Sequence, residues 1–291
     1  MYAVRVGAEL GDRLDAEFYS PVALATVAQI EAQGATSPLG NLILEGYRVV
    51  YHGTDSISGV AEDKLLPFLS PSQIDDQGAI DFDSTDKLPL YYKTKYPKGI
   101  AKPGELLIEV KGNVSKVGVV PVVHPANLMI SGSLYKASFR PSVDSRYVFA
   151  FLKSKHGQIL KNRLTSNTII NYIAKYDLYS IPVWTPGESV QKYIGNKVRH
   201  VEALCVWAKS LEVRFARRIA DFAPEVFQDH ATGRRHSRVS PVDISYTLNP
   251  GAFDEERVRV RRHLSGLGSA SLRSLVEIGG ANVSEYSPET T

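Results

Sequence analysis

Hydrophobic and polar positions follow two patterns in the first two thirds of the chain. A helix is predicted to begin at Pro21, after the capping residue Ser20, and to end at Gly34. Between residues 40 and 186, short apolar runs are separated by Gly, Pro, Asn and Asp, which is typical of strands and turns. The sequence therefore predicts an N-terminal helical segment (residues 1–39) and an α+β domain with a β-rich core and small helices (residues 40–186). The apolar face of the first helix would consist of Val22, Leu24, Ala25, Val27, Ala28 and Ile30.

Four runs within the α+β domain have the composition of strands. They are residues 48–51, 66–69, 106–110 and 117–120. Residues 144–164 differ, because apolar side chains recur there at helical spacing. One helix is therefore predicted over 144–164, with the apolar residues Tyr147, Val148, Phe151, Leu152, Ile159 and Leu160.

A third pattern begins at residue 187 and predicts a long helix of the coiled-coil type over 187–223. About 35 residues in a helix would extend roughly 50 Å, which exceeds the needs of a domain of this size. The apolar stripe is wide enough to cover a partner helix, although the helix could instead lie on its own domain. On this stripe Cys205 is expected to be a buried structural thiol. The interaction residues of the stripe are Ile194, Val198, Val201, Cys205, Ala208, Phe215, Ile219 and Phe222.

The C-terminal part is predicted to contain a basic linker and the beginning of a repeat. Residues 224–245 are polar and include Arg234, Arg235 and Arg238. Residues 248–253 resemble residues 14–19, and Gly268 corresponds to Gly34 at the same spacing. Residues 246–291 are therefore interpreted as the start of an incomplete second repeat, with chance similarity as the alternative.

Composition excludes several classes of protein. Of the 291 residues 43% are hydrophobic, and the net charge is +3. There is no apolar run long enough to span a membrane, and the first residues do not resemble a signal peptide. A single cysteine excludes internal disulfides and favours a cytoplasmic location. Because the net charge is small, nucleic-acid binding must depend on where the charges lie; residues 91–116 contain six lysines and two glutamates.

One constellation has the pattern of a catalytic site. Glu109 and Lys111 form a Glu-x-Lys sequence, and Asp81, Asp83 and Asp86 precede it. Mg²⁺-dependent nucleases use such carboxylates as metal ligands and such a lysine to polarise water. This nuclease hypothesis remains an alternative, and the chain shows no phosphate-binding loop, dinucleotide motif or histidine spacing suited to a metal.

An ordered set of short motifs extends from residue 12 to residue 222. They are residues 12–21 (DRLDAEFYSP), 39–43 (LGNLI), 66–74 (LPFLSPSQI), 103–108 (PGELLI), 111–118 (KGNVSKVG), 130–135 (ISGSLY), 147–152 (YVFAFL) and 181–186 (IPVWTP), followed by Gln191 and Ile194 in a helix. In this order they resemble the target-recognition domain and spacer helix of type I restriction-modification DNA specificity (S) subunits. Glu105 departs from the aspartate usual in the family, and residues 184–186 depart from its double proline.

The resemblance implies a non-catalytic subunit. S subunits bind double-stranded DNA and position methyltransferase (M) subunits, which use S-adenosylmethionine to methylate adenine; restriction (R) subunits can join them. The chain itself would bind no cofactor and no metal. An S subunit contains two such halves, so the chain is expected to be a half-subunit, a truncation or a fragment. A homodimer through the long helix would make the DNA target a palindrome.

Residues suited to DNA contact lie in the segments between the apolar runs. Paired donors and acceptors read base edges, whereas cations and small hydroxyl or amide groups bind phosphates. For each of these residues, a solvated surface position is the alternative. A protein-interaction module that dimerises through the long helix without binding DNA is the other alternative for the whole chain. The predicted DNA-binding residues are Arg48, Tyr51, His52, Thr54, Ser72, Gln73, Lys93, Lys95, Lys111, Asn113, Ser115, Lys116, Arg163, Ser166, Asn167, Thr168 and Asn171.

Overall fold

The structure is a computed structural model that describes most of the chain in two compact units. The units are Met1–Val206 and Trp207–Thr291. The described residues are 13, 15–51, 53, 55–166, 170–222, 240 and 255–268. In chain order, the main elements are α1 (Pro21–Ala32), β1 (Thr36–Pro38), α2 (Leu39–Leu42), β2 (Ile43–Tyr47), β3 (Leu65–Leu69), β4 (Asp86–Pro89), α3 (Tyr92–Lys95), β5 (Leu106–Glu109), β6 (Val117–Val119), β7 (Met129–Ile130), β8 (Leu134–Phe139), α4 (Ser145–Lys153), α5 (Lys155–Arg163), α6 (Lys175–Ser180), β9 (Pro182–Trp184), α7 (Glu188–Phe222) and α8 (Glu255–Gly266).

The predicted start of α1 is confirmed, but its buried face is not the predicted one. Pro21 is the first helical residue, and the Ser20 hydroxyl accepts a hydrogen bond from the N–H of Ala23 (3.3 Å). Val22 and Leu24 are exposed, whereas Ala23 and Ile30 are buried. Apolar residues occur on all sides of this helix, so its packing against α5 and β9 decides which face is covered.

The described residues of the first unit contain three sheets together with helices, which confirms the predicted α+β class. The largest has the order β2-β8-β5-β6 and is antiparallel throughout. A second sheet has the order β4-β3-β7, in which β3 and β7 run parallel, and β1 pairs with β9 in the third. All four residues of β5 are buried, since both faces of this central strand are covered.

The alternation of side chains along β5 divides the core into two layers. Leu106 and Ile108 lie in one hydrophobic cluster, together with Tyr147 and Leu152 of α4. Leu107 lies in a second cluster, which includes Leu69 of β3 and Ile130 of β7 in the β4-β3-β7 sheet. Because β5 is fixed on both sides, the segment that follows it begins from a rigid base.

Several predicted elements differ from those observed. Residues 48–51 were predicted as a strand, but β2 ends at Tyr47. The side chains beyond it do not alternate between two faces of a sheet, because Val49 is buried while Arg48 and Tyr51 contact different aromatic rings. By contrast, the strand predicted over 66–69 is confirmed as β3, and a turn at Pro71–Gln73 follows it.

The predicted helix over 144–164 is two helices. Ser154 is extended (φ −61°, ψ 160°), and its hydroxyl accepts a hydrogen bond from the N–H of Gly157 (3.2 Å), which begins α5. A serine that can cap a new helix thus interrupts the apolar periodicity.

The long helix is confirmed as α7, which has 35 residues. In the first unit, Gln191 and Gly195 are buried, and Arg199 forms an ion pair with Asp144 (2.8 Å). In the second unit, Phe215 and Phe222 are 67% and 71% exposed. Cys205, predicted to be buried, is exposed, because no described element covers this part of the helix.

The structure describes little of the C-terminal part. The helix α8 falls within the predicted second repeat. The arginines predicted for the basic linker lie outside the described residues. Among the described helices, none is long and apolar enough to cross a membrane.

Candidate DNA-binding surface

The 111–116 loop, which follows β5, is folded around the carboxylate of Glu109. This carboxylate is 4% exposed, and its oxygens accept hydrogen bonds from the N–H groups of Asn113 (3.1 Å) and Lys116 (3.0 Å). Gly112 has a φ of +115°, and a Cβ atom there would lie 2.8 Å from Glu109 Oε1. The loop is therefore held from inside by the strand that precedes it.

Glu109 consequently has a different environment from the one that the nuclease hypothesis requires. A magnesium ligand needs an accessible oxygen, whereas both oxygens of Glu109 are bonded to backbone N–H groups. Within the described residues, no group of three or more His, Cys, Asp or Glu side chains is placed to hold a metal ion. The geometry indicates a loop-forming role for Glu109.

Lys161 of α5 lies in the interior near Glu109. It is 0% exposed, and its Nζ has no hydrogen-bond partner among the described residues. Burial lowers the pKa of Lys161 to about 7, although the charge of Glu109 raises it. At the base of the 111–116 loop, burial therefore disfavours the charged form of Lys161 while the nearby Glu109 carboxylate favours it.

A second segment, of which residues 166 and 170–173 are described, is attached to this loop through Tyr172. Tyr172 forms β-bridges with both Lys111 and Ser166. The N–H of Gly112 donates to the carbonyl of Asn171 (3.0 Å), and the N–H of Ile173 donates to that of Val110 (2.9 Å). These bonds bring together two stretches that are far apart in sequence and were predicted separately.

Arg48 completes what we call the Tyr172 junction, which consists of Arg48, Lys111, Ser166, Asn171 and Tyr172. The guanidinium carbon of Arg48 lies 5.0 Å from the centre of the Tyr172 ring. Lys111 and Asn171 have exposed side chains. The junction thus presents two cations and an amide beside polar backbone, a combination suited to phosphates and base edges.

A tyrosine cluster (Tyr51, Tyr91, Tyr92 and Tyr96) brings Tyr51, which follows Arg48 closely in the chain, together with three tyrosines in and beside α3. The ring centres of Tyr51 and Tyr96 are 5.1 Å apart, and the Tyr51 hydroxyl donates to the carbonyl of Ile130 (2.8 Å). Burial raises the pKa of Tyr51. Lys95 Nζ lies 5.5 Å from the centre of the Tyr96 ring, and Lys93 is exposed without an ion pair to any described residue.

Other predicted contact residues have internal partners. The side-chain oxygen of Gln73 accepts a bond from the N–H of Ser70 (2.8 Å), and its amide nitrogen donates to the carbonyl of Ser84 (3.3 Å). The guanidinium of Arg163 lies 3.9 Å from the centre of the Phe18 ring, and burial lowers its pKa. Both side chains therefore have structural roles, and neither belongs to the Tyr172 junction.

The remaining predicted DNA-binding residues either lie at or near the surface or fall outside the described residues. Lys116 forms an ion pair with Asp76, which lowers the pKa of that carboxyl. Ser72 and Asn113 are exposed, and Ser115 is half-buried. Four predicted residues lie outside the described residues: His52, Thr54, Asn167 and Thr168.

Three relevant residues were not predicted. Tyr172 and Lys161 act through contacts with distant segments, and no local spacing indicates them. Lys175 lines a cavity beside Arg48. Its position directly after the predicted polar stretch was the only signal in the sequence.

Comparisons of this fold with solved structures find similar chains at low sequence identity. An S subunit of a type I restriction-modification system from M. genitalium is 16% identical with a TM-score of 0.44; the match covers 68% of this chain and 46% of that one. The HsdS subunit from Thermoanaerobacter tengcongensis is 17% identical with a TM-score of 0.38, covering 65% and 46%. The type IIG restriction endonuclease BpuSI is 10% identical with a TM-score of 0.44, covering 64% and 28%.

The chain thus spans half or less of the length of the structures that it matches. No protein-family model and no curated protein matches it.

Proposed function

We propose that this chain is a sequence-specific DNA-recognition protein of the type I specificity class and that it acts without catalysing a reaction. The main support is the Tyr172 junction. Predicted DNA-contact residues from three segments, namely Arg48, Lys111 and the pair Ser166 and Asn171, meet there through backbone hydrogen bonds and one cation–π contact. The order of the short motifs from residue 12 to residue 222 supports the same assignment.

The exposed side chains of the junction would contact DNA, while the half-buried ones set their positions. Lys111 can bind a phosphate or guanine, and the amides of Asn113 and Asn171 can pair with adenine. The backbone of the 111–116 loop is already bonded to Glu109 and Asn171, so the side chains are presented with little further ordering.

The partner subunits follow from the same proposal. A methyltransferase would bind S-adenosylmethionine and methylate adenine, with this chain selecting the sequence; a restriction subunit could join them. The helix α7 would separate recognition domains and dock the partner. Its exposed apolar residues, such as Val201 in the first unit and Phe215 in the second, are suited to such contacts.

Selection of sequences from a random pool of duplex DNA tests the proposal. The full chain is used alone and with a methyltransferase subunit of a type I system, in each case both without divalent metal and with Mg²⁺. Enrichment of a short motif, with the DNA left uncut, is the expected result. No enrichment under either condition would contradict the proposal and favour an interaction module that does not bind DNA.

The same experiment addresses pairing of two copies through α7, which we include in the proposal. Two copies related by a twofold axis would enrich a palindrome with a fixed gap. Phe215→Asp should then reduce the dimer measured by analytical ultracentrifugation. Val213→Asp is the matched control, because Val213 is similarly exposed but lies off the predicted stripe. A single half-site and a monomeric wild-type chain would contradict pairing and leave DNA recognition intact.

A further inference from the structure

A cavity of about 230 Å³ lies beside the Tyr172 junction. Its wall is formed by aromatic and apolar residues together with two cations, Arg48 and Lys175. Among the described residues that line it, none is acidic. A recess with two positive charges and no negative one favours an anion. The remaining lining residues are Gly46, Tyr47, Val110, Tyr135, Tyr172, Ile173 and Leu178.

Both cations lie beside aromatic rings, and Nη1 of Arg48 is buried without a hydrogen-bond partner among the described residues. Arg48 lies over Tyr172, and Lys175 Nζ lies 5.1 Å from the centre of the Tyr179 ring. Neither side chain forms an ion pair with a described residue. A cation–π contact uses the face of the guanidinium group, so the in-plane N–H groups can still bind an oxyanion.

Tyr135 and Gly46, which also line the cavity, contribute no charge to it. The Tyr135 and Tyr179 hydroxyls are hydrogen-bonded to each other (2.8 Å). Burial and this bond raise the pKa of Tyr135, so the hydroxyl remains neutral at physiological pH. A Cβ atom at Gly46 would lie 2.3 Å from Tyr135 Oη, so only glycine fits this wall without a shift.

The geometry points to an oxyanion subsite in which Arg48 and Lys175 together bind one phosphate group of the DNA backbone. This inference rests on the proposed function. Because Tyr172 supports Arg48 and also bridges to Lys111, a phosphate bound there would fix the register of the strand relative to the 111–116 loop. Free phosphate offers the same chemistry from another source, so the test includes it separately.

Phosphate-by-phosphate substitution of the selected duplex tests the subsite. One phosphodiester at a time is replaced by a neutral methylphosphonate, and affinity is measured for the wild-type chain and for a variant carrying Arg48→Gln and Lys175→Gln. We expect one position at which the substitution weakens wild-type binding about tenfold. The double variant should bind the unmodified duplex about tenfold more weakly and show no further loss at that position.

A control variant carrying both Lys192→Gln and Lys197→Gln is matched, because it also removes two positive charges, here from exposed sites on α7. It should retain the wild-type pattern of methylphosphonate effects. Circular dichroism of each variant checks that the fold is retained. If the wild-type chain binds its motif but no position distinguishes it from the double variant, the subsite is refuted while the proposed function stands.

A separate titration distinguishes failure of the subsite from failure of the proposed function. Inorganic phosphate is added to the full chain without DNA, and binding is followed by isothermal titration calorimetry. If the chain selects no DNA sequence but binds phosphate, and Arg48→Gln abolishes this binding, the oxyanion site stands and its source is free phosphate. If neither DNA nor phosphate binds, the inference is refuted.

Discussion

Replacing Glu109 by glutamine should open the 111–116 loop without unfolding the domain. In the wild-type chain, two backbone N–H groups donate to this buried carboxylate. Glutamine keeps one acceptor oxygen but places an NH₂ group opposite the other N–H. One hydrogen bond is therefore lost, and a buried donor faces another donor.

The size of the effect follows from these two bonds. A hydrogen bond to a charged group contributes about 1.5–3 kcal/mol, and an unpaired buried donor costs about 1–3 kcal/mol. Because the loop can partly relax towards solvent, we expect its opening free energy to fall by about 2–3 kcal/mol. That corresponds to roughly a 30- to 150-fold loss of amide protection.

Hydrogen exchange at the amides of Asn113 and Lys116 measures this opening directly. Glu105→Gln is the matched control: Glu105 is also buried, and it pairs with Lys136 (3.0 Å), but it does not bond to the loop. Both variants should lower the free energy of unfolding, since each disrupts a buried charge. Only Glu109→Gln should expose the two loop amides and weaken DNA binding with the fold retained.

Wild-type exchange rates at both amides in the Glu109→Gln variant would refute the reasoning, because the carboxylate would then not hold the loop. Equal loss of protection in the Glu105→Gln control would also refute it, since the effect would then come from general destabilisation.

Three further predictions concern other parts of the chain. Lys161 has a pKa of about 7 in the folded state against an ordinary 10.5, so the unfolded state binds more protons than the folded state between these pH values. The free energy of unfolding, measured with urea, should therefore rise from pH 7 to 9 by up to about 1.4 kcal/mol per pH unit. Lys161→Met should remove this rise, and an unchanged slope in the variant would contradict the prediction. Gly112→Ala should lower the free energy of unfolding measured with urea by about 1–2 kcal/mol, because Gly112 has a φ of +115° and little space for a Cβ atom. Gly187→Ala should change it little, because there is open space around Gly187. Cys205 should react with a thiol reagent in the folded monomer at nearly the unfolded rate, and strong protection there would contradict its exposure.

The elements that the sequence predicts correctly depend on local signals. The cap at Ser20 and the helical spacing through α7 are properties of neighbouring residues, and both occur in the structure. The strand over 106–110 was also predicted, because a short apolar run before a glycine-containing turn can be read locally.

The elements that it predicts wrongly depend on distant neighbours. Whether Val22 or Ala23 of α1 is buried depends on where α5 and β9 lie. Cys205 was expected to be buried because it belongs to an apolar stripe, but burial requires a covering element that the described chain does not supply. Glu109 suggested a metal ligand, and only the fold of the following loop shows that its oxygens are occupied.

The same dependence on distant contacts changes the meaning of the local charge. Counted from the sequence, residues 91–116 carry six lysines, and all of them could bind phosphate. In the structure Lys116 is paired with Asp76, and Lys95 lies over tyrosine rings, so a phosphate must compete with an existing partner at each. Lys111 has no acidic partner among the described residues, and Lys175, outside the counted segment, has none either. Because Arg48 and Lys111 both contact Tyr172 and Lys175 lines the cavity beside it, the surroundings of each cation, and not the local count of lysines, single out this part of the surface.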